Sequence, residues 1–171
     1  DAAIATACEQ AAQGEVVSPV NYNSPGQVVI AGHKAAVERA GELCKAAGAK
    51  RALPLPVSVP SHCALMRPAA EKLATDLTAL NFNDAVIPVV NNVDVAIAAN
   101  ATAVKDALVR QLHSPVRWTE TIEWLAAQGV TDVLELGAGK VLSGLIKRID
   151  KNLAVASVGD IASLQAALAA E

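Results

Sequence analysis

Two spacings of hydrophobic residues alternate along this chain, and together they predict a mixed α/β fold. In seven stretches the apolar residues recur every three or four positions, as on the buried face of an amphipathic helix. These stretches begin near residues 1, 37, 66, 104, 118, 141 and 161. Six shorter stretches are rich in β-branched and aliphatic residues, which is typical of strands. They cover residues 16–20, 27–31, 53–59, 86–90, 130–136 and 153–158.

The predicted elements of residues 1–59 follow the order αββαβ. The two central strands should form a hairpin, because the segment 21–26 between them is dense in turn residues. Pro54 and Pro56 lack the N–H that a sheet ladder needs, so the last strand is predicted at a sheet edge or in a short pairing. This order is one strand short of the ferredoxin-like βαββαβ unit, and the missing strand would precede Asp1. A helix-first α+β module is the alternative.

A second module is predicted over residues 60–171, where helical and strand-like stretches alternate. Alternation of this kind is typical of βα units on a parallel sheet. The stretch 86–90 is apolar without a polar face, so we expect a buried strand there.

The composition narrows the class of protein. Of the 171 residues, 53% are hydrophobic but only 2% are aromatic, which favours closely packed helices over a platform for stacking bases. The formal net charge is −3 with acids and bases interspersed, so neither nucleic acid nor an anionic membrane is an expected partner. No apolar run approaches the roughly 18 residues of a membrane span. We therefore expect a soluble protein.

The cysteines give no sign of a disulfide framework. Cys8, Cys44 and Cys63 are an odd number at wide spacings, and none belongs to a C-x-x-C motif. Such spacing also argues against a zinc site, so no metal is expected. Reduced thiols indicate a cytoplasmic protein.

The glycine-rich turn that begins at Gly137 invites comparison with nucleotide-binding loops. A P-loop would need glycine at Leu134 and a hydroxyl residue at Val141, so that motif fails. The dinucleotide fingerprint also fails, because its third glycine would fall at Leu142. A tight strand-to-helix turn that needs small residues is the better interpretation.

His62 is the histidine with a suggestive setting. It lies where a proline-bounded strand should end and a helix begin, a junction that can direct a side chain into a cleft. Cys63 beside it suggests a thiol nucleophile with its base, although neighbouring helical residues point about 100° apart and rarely share a hydrogen bond. His33 and His113 lie near predicted helix ends and are given no role.

Five segments of the chain resemble, in order, the malonyl-CoA:acyl carrier protein transacylases of bacterial type II fatty acid synthesis. The first contains Asn-Ser-Pro-Gly, the second leads to the histidine in Val-Pro-Ser-His, and the last contains Glu-Leu-Gly-Ala-Gly-Lys. The segments are 17–32, 55–62, 88–93, 112–118 and 135–142. Two small departures are Ala138, where many members have proline, and His113, where tyrosine or asparagine is common.

The resemblance implies an acyltransferase in which a serine takes malonyl from coenzyme A, holds it as an ester, and passes it to the phosphopantetheine thiol of acyl carrier protein. Malonyl-CoA is the substrate and no cofactor is implied. The serine elbow, the Gly-Gln-Gly segment of the oxyanion hole and the arginine that binds the malonyl carboxylate are absent from this sequence. The chain alone is therefore predicted to be inactive. The family also suggests a monomer.

By the same resemblance, His62 is the general base toward that serine, Gln111 orients its imidazole through a main-chain carbonyl, and Asn23 lines the site. The implied architecture is a ferredoxin-like small subdomain, residues 1–59, inserted in an α/β-hydrolase-like large subdomain whose C-terminal part is 60–171. Two rival hypotheses stay open. One is a non-catalytic ligand-binding or regulatory module of ferredoxin-like fold, and the other is a hydrolase that uses the neighbouring thiol.

Overall fold

The computed structural model describes residues 1–169, which contain seven α-helices and six β-strands. The helices are α1 (Ala2–Ala12), α2 (Lys34–Ala46), α3 (Arg67–Thr78), α4 (Ala101–Gln111), α5 (Trp118–Ala127), α6 (Val141–Ile149) and α7 (Ile161–Leu168). The strands are β1 (Val17–Ser24), β2 (Gln27–Gly32), β3 (Val90–Asn91), β4 (Ala96–Ile97), β5 (Asp132–Leu136) and β6 (Ala154–Val158). The prediction of a mixed α/β fold is confirmed. No helix within the described range is long and apolar enough to cross a membrane.

The chain divides into two compact units, Asp1–Trp118 and Thr119–Glu171. In the first unit, small side chains let α1 and α2 pack closely on the β1–β2 hairpin. Their buried cluster consists of Cys8, Ala11, Val17, Ala36 and Ala40. Arg39 of α2 donates to the Ala11 carbonyl at 2.7 Å and pairs with Glu15 at 2.9 Å, which joins α2 to the end of α1.

The predicted hairpin is present, but its turn is shorter than expected. Ser24 pairs with Gln27, so Pro25 and Gly26 alone form the turn, and residues 21–24 belong to β1. Gly26 has φ of 76°, the left-handed conformation that tight hairpin turns favour. The strand has two register shifts, one between Pro19 and Asn21 and one between Tyr22 and Ser24, which interrupt its ladder with β2.

The strand predicted over 53–59 is not formed. Its alternating apolar side chains are exposed, with Leu53 at 70% and Val57 at 68% of their full area. Pro54 and Pro56 remove two N–H donors, and no strand among the described residues pairs with this segment. An alternating pattern makes a strand only when a second strand completes its hydrogen bonds.

The prediction of a buried strand over 86–90 is also wrong. Val86 and Ile87 are 97% and 76% exposed, and regular structure begins only at Val90. There β3 pairs with β4, a two-residue strand that the sequence pattern did not indicate. Burial of an apolar stretch depends on what packs against it, which local sequence does not specify.

In the second unit, β5 and β6 form a parallel pair in which Asp132 lies beside Ala154 and Leu136 beside Val158. Helix α6 connects the two strands, and α7 follows behind a capping box of Asp160. The predicted strands over 130–136 and 153–158 and their parallel arrangement are therefore confirmed.

At the turn between β5 and α6, a carboxylate of the chain itself lies at the N-terminus of the helix. The Glu135 carboxylate accepts hydrogen bonds from the backbone N–H groups of Leu142 and Ser143, at 3.1 and 2.8 Å, and from the Ser143 hydroxyl. These N–H groups are the donors that a phosphate would need at a helix N-terminus. Since the chain's own carboxylate occupies them, the turn is a structural connection, as the sequence indicated.

We expect Glu135→Gln to destabilise the chain at neutral pH but not in acid. Hydrogen bonds from Ser143 hold the pKa of the Glu135 carboxyl below its ordinary value of 4.5. The folded-state pKa is depressed, so the stabilisation is present above 4.5 and is lost as the pH falls through the lower folded-state value. Urea unfolding midpoints of the two proteins should therefore converge on acidification. Glu123→Gln, at an exposed position of α5, is the control. A difference in midpoint between Glu135→Gln and the parent that does not change with pH would contradict the stabilising role of the Glu135 carboxylate.

Candidate active site

The backbone at His62 has an uncommon conformation that the surrounding structure maintains. Its φ is 65°, in the left-handed region that non-glycine residues rarely adopt. The His62 N–H donates to the Leu112 carbonyl at 3.0 Å, immediately before the short 3-10 helix Ala64–Met66. Strained residues of this kind cluster at functional sites.

The imidazole of His62 is held by the end of α4. Its Nδ1 lies 2.7 Å from the main-chain carbonyl oxygen of Gln111, the last residue of that helix. The final carbonyls of a helix lack partners within the helix, and here the ring and the backbone N–H of His62 supply partners for two of them. The side-chain Nε2 of Gln111 also lies 3.5 Å from Nδ1, but the much shorter contact is with a carbonyl, which only accepts. The neutral ring therefore carries its proton on Nδ1 and presents Nε2 as a proton acceptor. The side chain is half-buried.

The side chain of Gln111 fixes the turn that follows α4. Its Nε2 donates to the carbonyl of Ser114 at 3.1 Å and lies 3.5 Å from that of Pro115. The next residue, Val116, exchanges hydrogen bonds with β1: it donates to Val20 at 2.8 Å and accepts from Tyr22 at 2.9 Å. The short segment 111–116 thus connects the Gln111 carbonyl, which contacts His62, with the β1–β2 hairpin.

The three predicted site residues are placed differently. His62 and Gln111 are brought into direct contact, although they lie 49 positions apart. Asn23 is the half-buried residue of β1 at the register shift between Tyr22 and Ser24. Its role in lining the site remains a prediction.

Cys63 is placed as a structural residue. Its side chain is 1% exposed, and the thiol donates to the Pro60 carbonyl at 3.2 Å. All three cysteines are buried and unpaired. No group of three His, Cys, Asp or Glu side chains in residues 1–169 is arranged to hold a metal ion.

In their neutral forms, His33 and His62 carry the ring proton on different nitrogens. Its Nδ1 accepts a hydrogen bond from the Val16 N–H at 2.9 Å, so its neutral form carries the proton on Nε2. This bond ties the start of α2 to the start of β1. His33 therefore has a structural contact here, and its lack of a catalytic role stays a prediction.

The sequence pattern did not indicate an ion pair that lies at the end of α4. Arg110, which precedes Gln111, forms a two-pronged pair with Asp94 at 2.6 and 2.7 Å. Hydrogen bonding from Arg110 is the main reason that the pKa of Asp94 lies below its usual value. The spacing of Asp106 and Arg110 could have indicated a pair within the helix, at 2.7 Å, but not the bond to a distant turn.

Comparison with known proteins gives close matches over the whole chain. The acyl transferase domain family matches residues 2–167. The malonyl CoA-acyl carrier protein transacylase of Escherichia coli K12 is 64% identical over 168 residues, covering 98% of this chain and 54% of that protein. An acyl carrier protein S-malonyltransferase from Vibrio cholerae has a TM-score of 0.96 and 67% identity, covering 98% of this chain and 55% of that one. A malonyl-transacylase solved in complex with a type II PKS acyl-carrier protein has a TM-score of 0.98 and 62% identity, covering 100% and 55%.

These matches test the resemblance seen in the sequence. The chain spans about half the length of the relatives it matches. Within that span the identity is high and the backbone agrees closely, which confirms the family assignment. The chain belongs to the acyl transferase domain family.

Proposed function

We propose that this chain supplies the histidine of a serine-dependent acyltransferase that moves malonyl from coenzyme A to the phosphopantetheine thiol of acyl carrier protein. His62 removes the proton from the serine hydroxyl during attack on the thioester and returns it to the leaving thiol of coenzyme A. In the second half-reaction His62 removes the proton from the attacking carrier thiol and returns it to the serine oxygen as the ester bond breaks. The serine comes from polypeptide outside this sequence.

The hydrogen bond between His62 Nδ1 and the Gln111 carbonyl, 2.7 Å long, is the observation that carries this proposal. In hydrolytic triads a carboxylate orients the histidine and fixes which ring nitrogen is protonated. A main-chain carbonyl performs the same orienting task without adding a charge. The ring then has Nε2 available for a hydroxyl, as general-base catalysis needs.

Residues 1–59 are assigned to a ferredoxin-like small subdomain and residues 60–171 to the C-terminal part of an α/β-hydrolase-like large subdomain. The order α1, β1, β2, α2 supports the first assignment, since it is the interior of the βαββαβ unit. The parallel β5–β6 pair with its connecting helix supports the second. The substrates are assigned from the named activities of the similar proteins and from the solved complex with an acyl-carrier protein.

A thiol-dependent hydrolase receives no support from the geometry. The Cys63 thiol is directed to the Pro60 carbonyl and is closed off from solvent, whereas a nucleophile must reach substrate and its base. A non-catalytic ferredoxin-like module would not require the strained backbone of His62 or the hydrogen bonds that fix this residue at the end of α4.

Reconstitution with the missing half tests the proposal. The purified chain alone should give no transfer of radiolabelled malonyl from coenzyme A to acyl carrier protein. Joined to the serine-bearing N-terminal part of the E. coli relative, it should transfer malonyl at a measurable rate. A matched partner whose nucleophilic serine is alanine serves as the control and should remain inactive. A joined protein that is folded yet inactive, or a chain that is active alone, would refute the proposal.

A further inference from the structure

The last turn of α4 positions His62, so its own stability matters. Gln111 and Leu112 each offer one carbonyl to His62, one to the ring and one to the backbone N–H. Both residues lie at a helix end, where hydrogen bonds are fewest and fraying begins. A movement of this turn would shift both acceptors together.

Arg110 ties this turn to a different part of the first unit. Its Nη1 and Nη2 donate to the two carboxylate oxygens of Asp94, and its Nε donates to Asp106. The guanidinium is planar, and a bidentate pair with a carboxylate defines direction as well as distance. We name this two-pronged contact between Arg110 and Asp94 the α4 clamp.

The turn that carries Asp94 is itself anchored at several points. The Asp94 N–H donates to the Asn91 side chain at 2.8 Å, and Asn91 Nδ2 donates to the Ala96 carbonyl at 2.9 Å. Arg117 donates from its backbone to the Asn92 carbonyl at 3.3 Å and lies within 3.4 Å of the Val93 carbonyl. Asp94 is therefore a fixed point rather than a mobile surface carboxylate.

We propose that the α4 clamp is a positioning device for the active site: Asp94 and Arg110 hold the Gln111 carbonyl where it keeps the His62 proton on Nδ1. Neither residue contacts the imidazole, so both are positioning residues. The side chains of Arg110 and Asp94 are 36% and 39% exposed, and exposed pairs contribute little to global stability. Their effect falls on the geometry of one helix end. The inference rests on the proposed function only in treating His62 as the base.

The experiment reads the ring tautomer in the chain as it is and needs no turnover. Long-range ¹H–¹⁵N spectra, recorded above the titration range of imidazole, give the ratio of Nδ1–H to Nε2–H forms for each histidine. Asp94→Asn removes the charge of the clamp, and Arg110→Lys removes its fork. Asp106→Asn is the matched control, because it makes the same chemical change at a partner of Arg110 within α4. His33, whose tautomer is fixed by Val16, reports whether the rest of the unit is intact.

We expect Asp94→Asn and Arg110→Lys to lower the Nδ1–H to Nε2–H ratio of His62 roughly two- to five-fold, as for residues coupled in one network. Asp106→Asn should leave that ratio near the parent value, and His33 should keep its tautomer in all three variants. An unchanged His62 ratio in Asp94→Asn and Arg110→Lys would overturn the proposal, and so would an equal fall in Asp106→Asn. If Asp94→Asn also changes the tautomer of His33, the unit as a whole is disturbed by that variant. The His62 ratio in Arg110→Lys, which retains the charge, then decides whether the proposal stands. None of these outcomes depends on whether the reconstituted enzyme transfers malonyl.

Discussion

His62→Ala should reduce malonyl transfer by the reconstituted enzyme roughly 10⁴- to 10⁶-fold, the loss typical when the base of a serine-dependent site is removed. Without the imidazole, no group at this position can take the hydroxyl proton of serine during attack on the thioester. The backbone bond from residue 62 to Leu112 does not use the side chain, so the fold should survive the change. Initial rates of malonyl transfer to acyl carrier protein, with a circular dichroism spectrum of each protein, provide the measurement.

Cys63→Ala is the matched control for that prediction. The residue is adjacent to His62 and more deeply buried, so the change tests local disturbance without touching the proposed chemistry. Transfer by Cys63→Ala should stay within about tenfold of the parent, because losing one buried thiol contact perturbs packing by about 1 kcal/mol. The reverse pattern, with Cys63→Ala inactive and His62→Ala active, would favour the thiol enzyme.

The largest effect on stability is expected for Gly32→Ala, at the end of β2. A Cβ at this position would lie 2.0 Å from the Val16 carbonyl oxygen and 2.6 Å from the Val17 Cα, both of them backbone atoms. The hairpin or the start of α2 would have to move, which also threatens the bond between His33 and Val16. We expect a loss of about 3 kcal/mol or more in the free energy of unfolding, at the upper end for overpacking. Urea denaturation measures it.

Gly41→Ala provides the comparison within the same unit. Gly41 lies inside α2, and a Cβ there would meet only the Ala52 Cβ, at the ordinary contact distance of 3.8 Å. Alanine is a better helix former than glycine by about 1 kcal/mol, so this variant should be as stable as the parent or more stable. Equal destabilisation by the two changes would show that the close approach at Gly32 is not what limits substitution.

The elements that could be predicted are those whose determinants are local. Helix α2 has its apolar stripe, and Gly48, with φ of 97°, lies just beyond its end. The β1–β2 hairpin joins neighbouring segments through a two-residue turn, so its pairing partner is specified within a few positions. Among the described residues, the segments 53–59 and 86–89 pair with no strand, and their apolar character alone was insufficient to make one.

The sequence by itself determined the residue types of the site: a histidine after Val-Pro-Ser, a glutamine in a helical stretch, and a family pattern that linked them. The contact of the His62 ring with the Gln111 carbonyl, across 49 positions, was implied by the family pattern and not by any local spacing. Only the tertiary structure decided that Asp94 reaches Arg110 across 16 positions. The physical reason is that local spacing fixes helices and tight turns. The distance between residues far apart in the chain follows instead from how those elements pack, and a main-chain carbonyl carries no residue-specific signal.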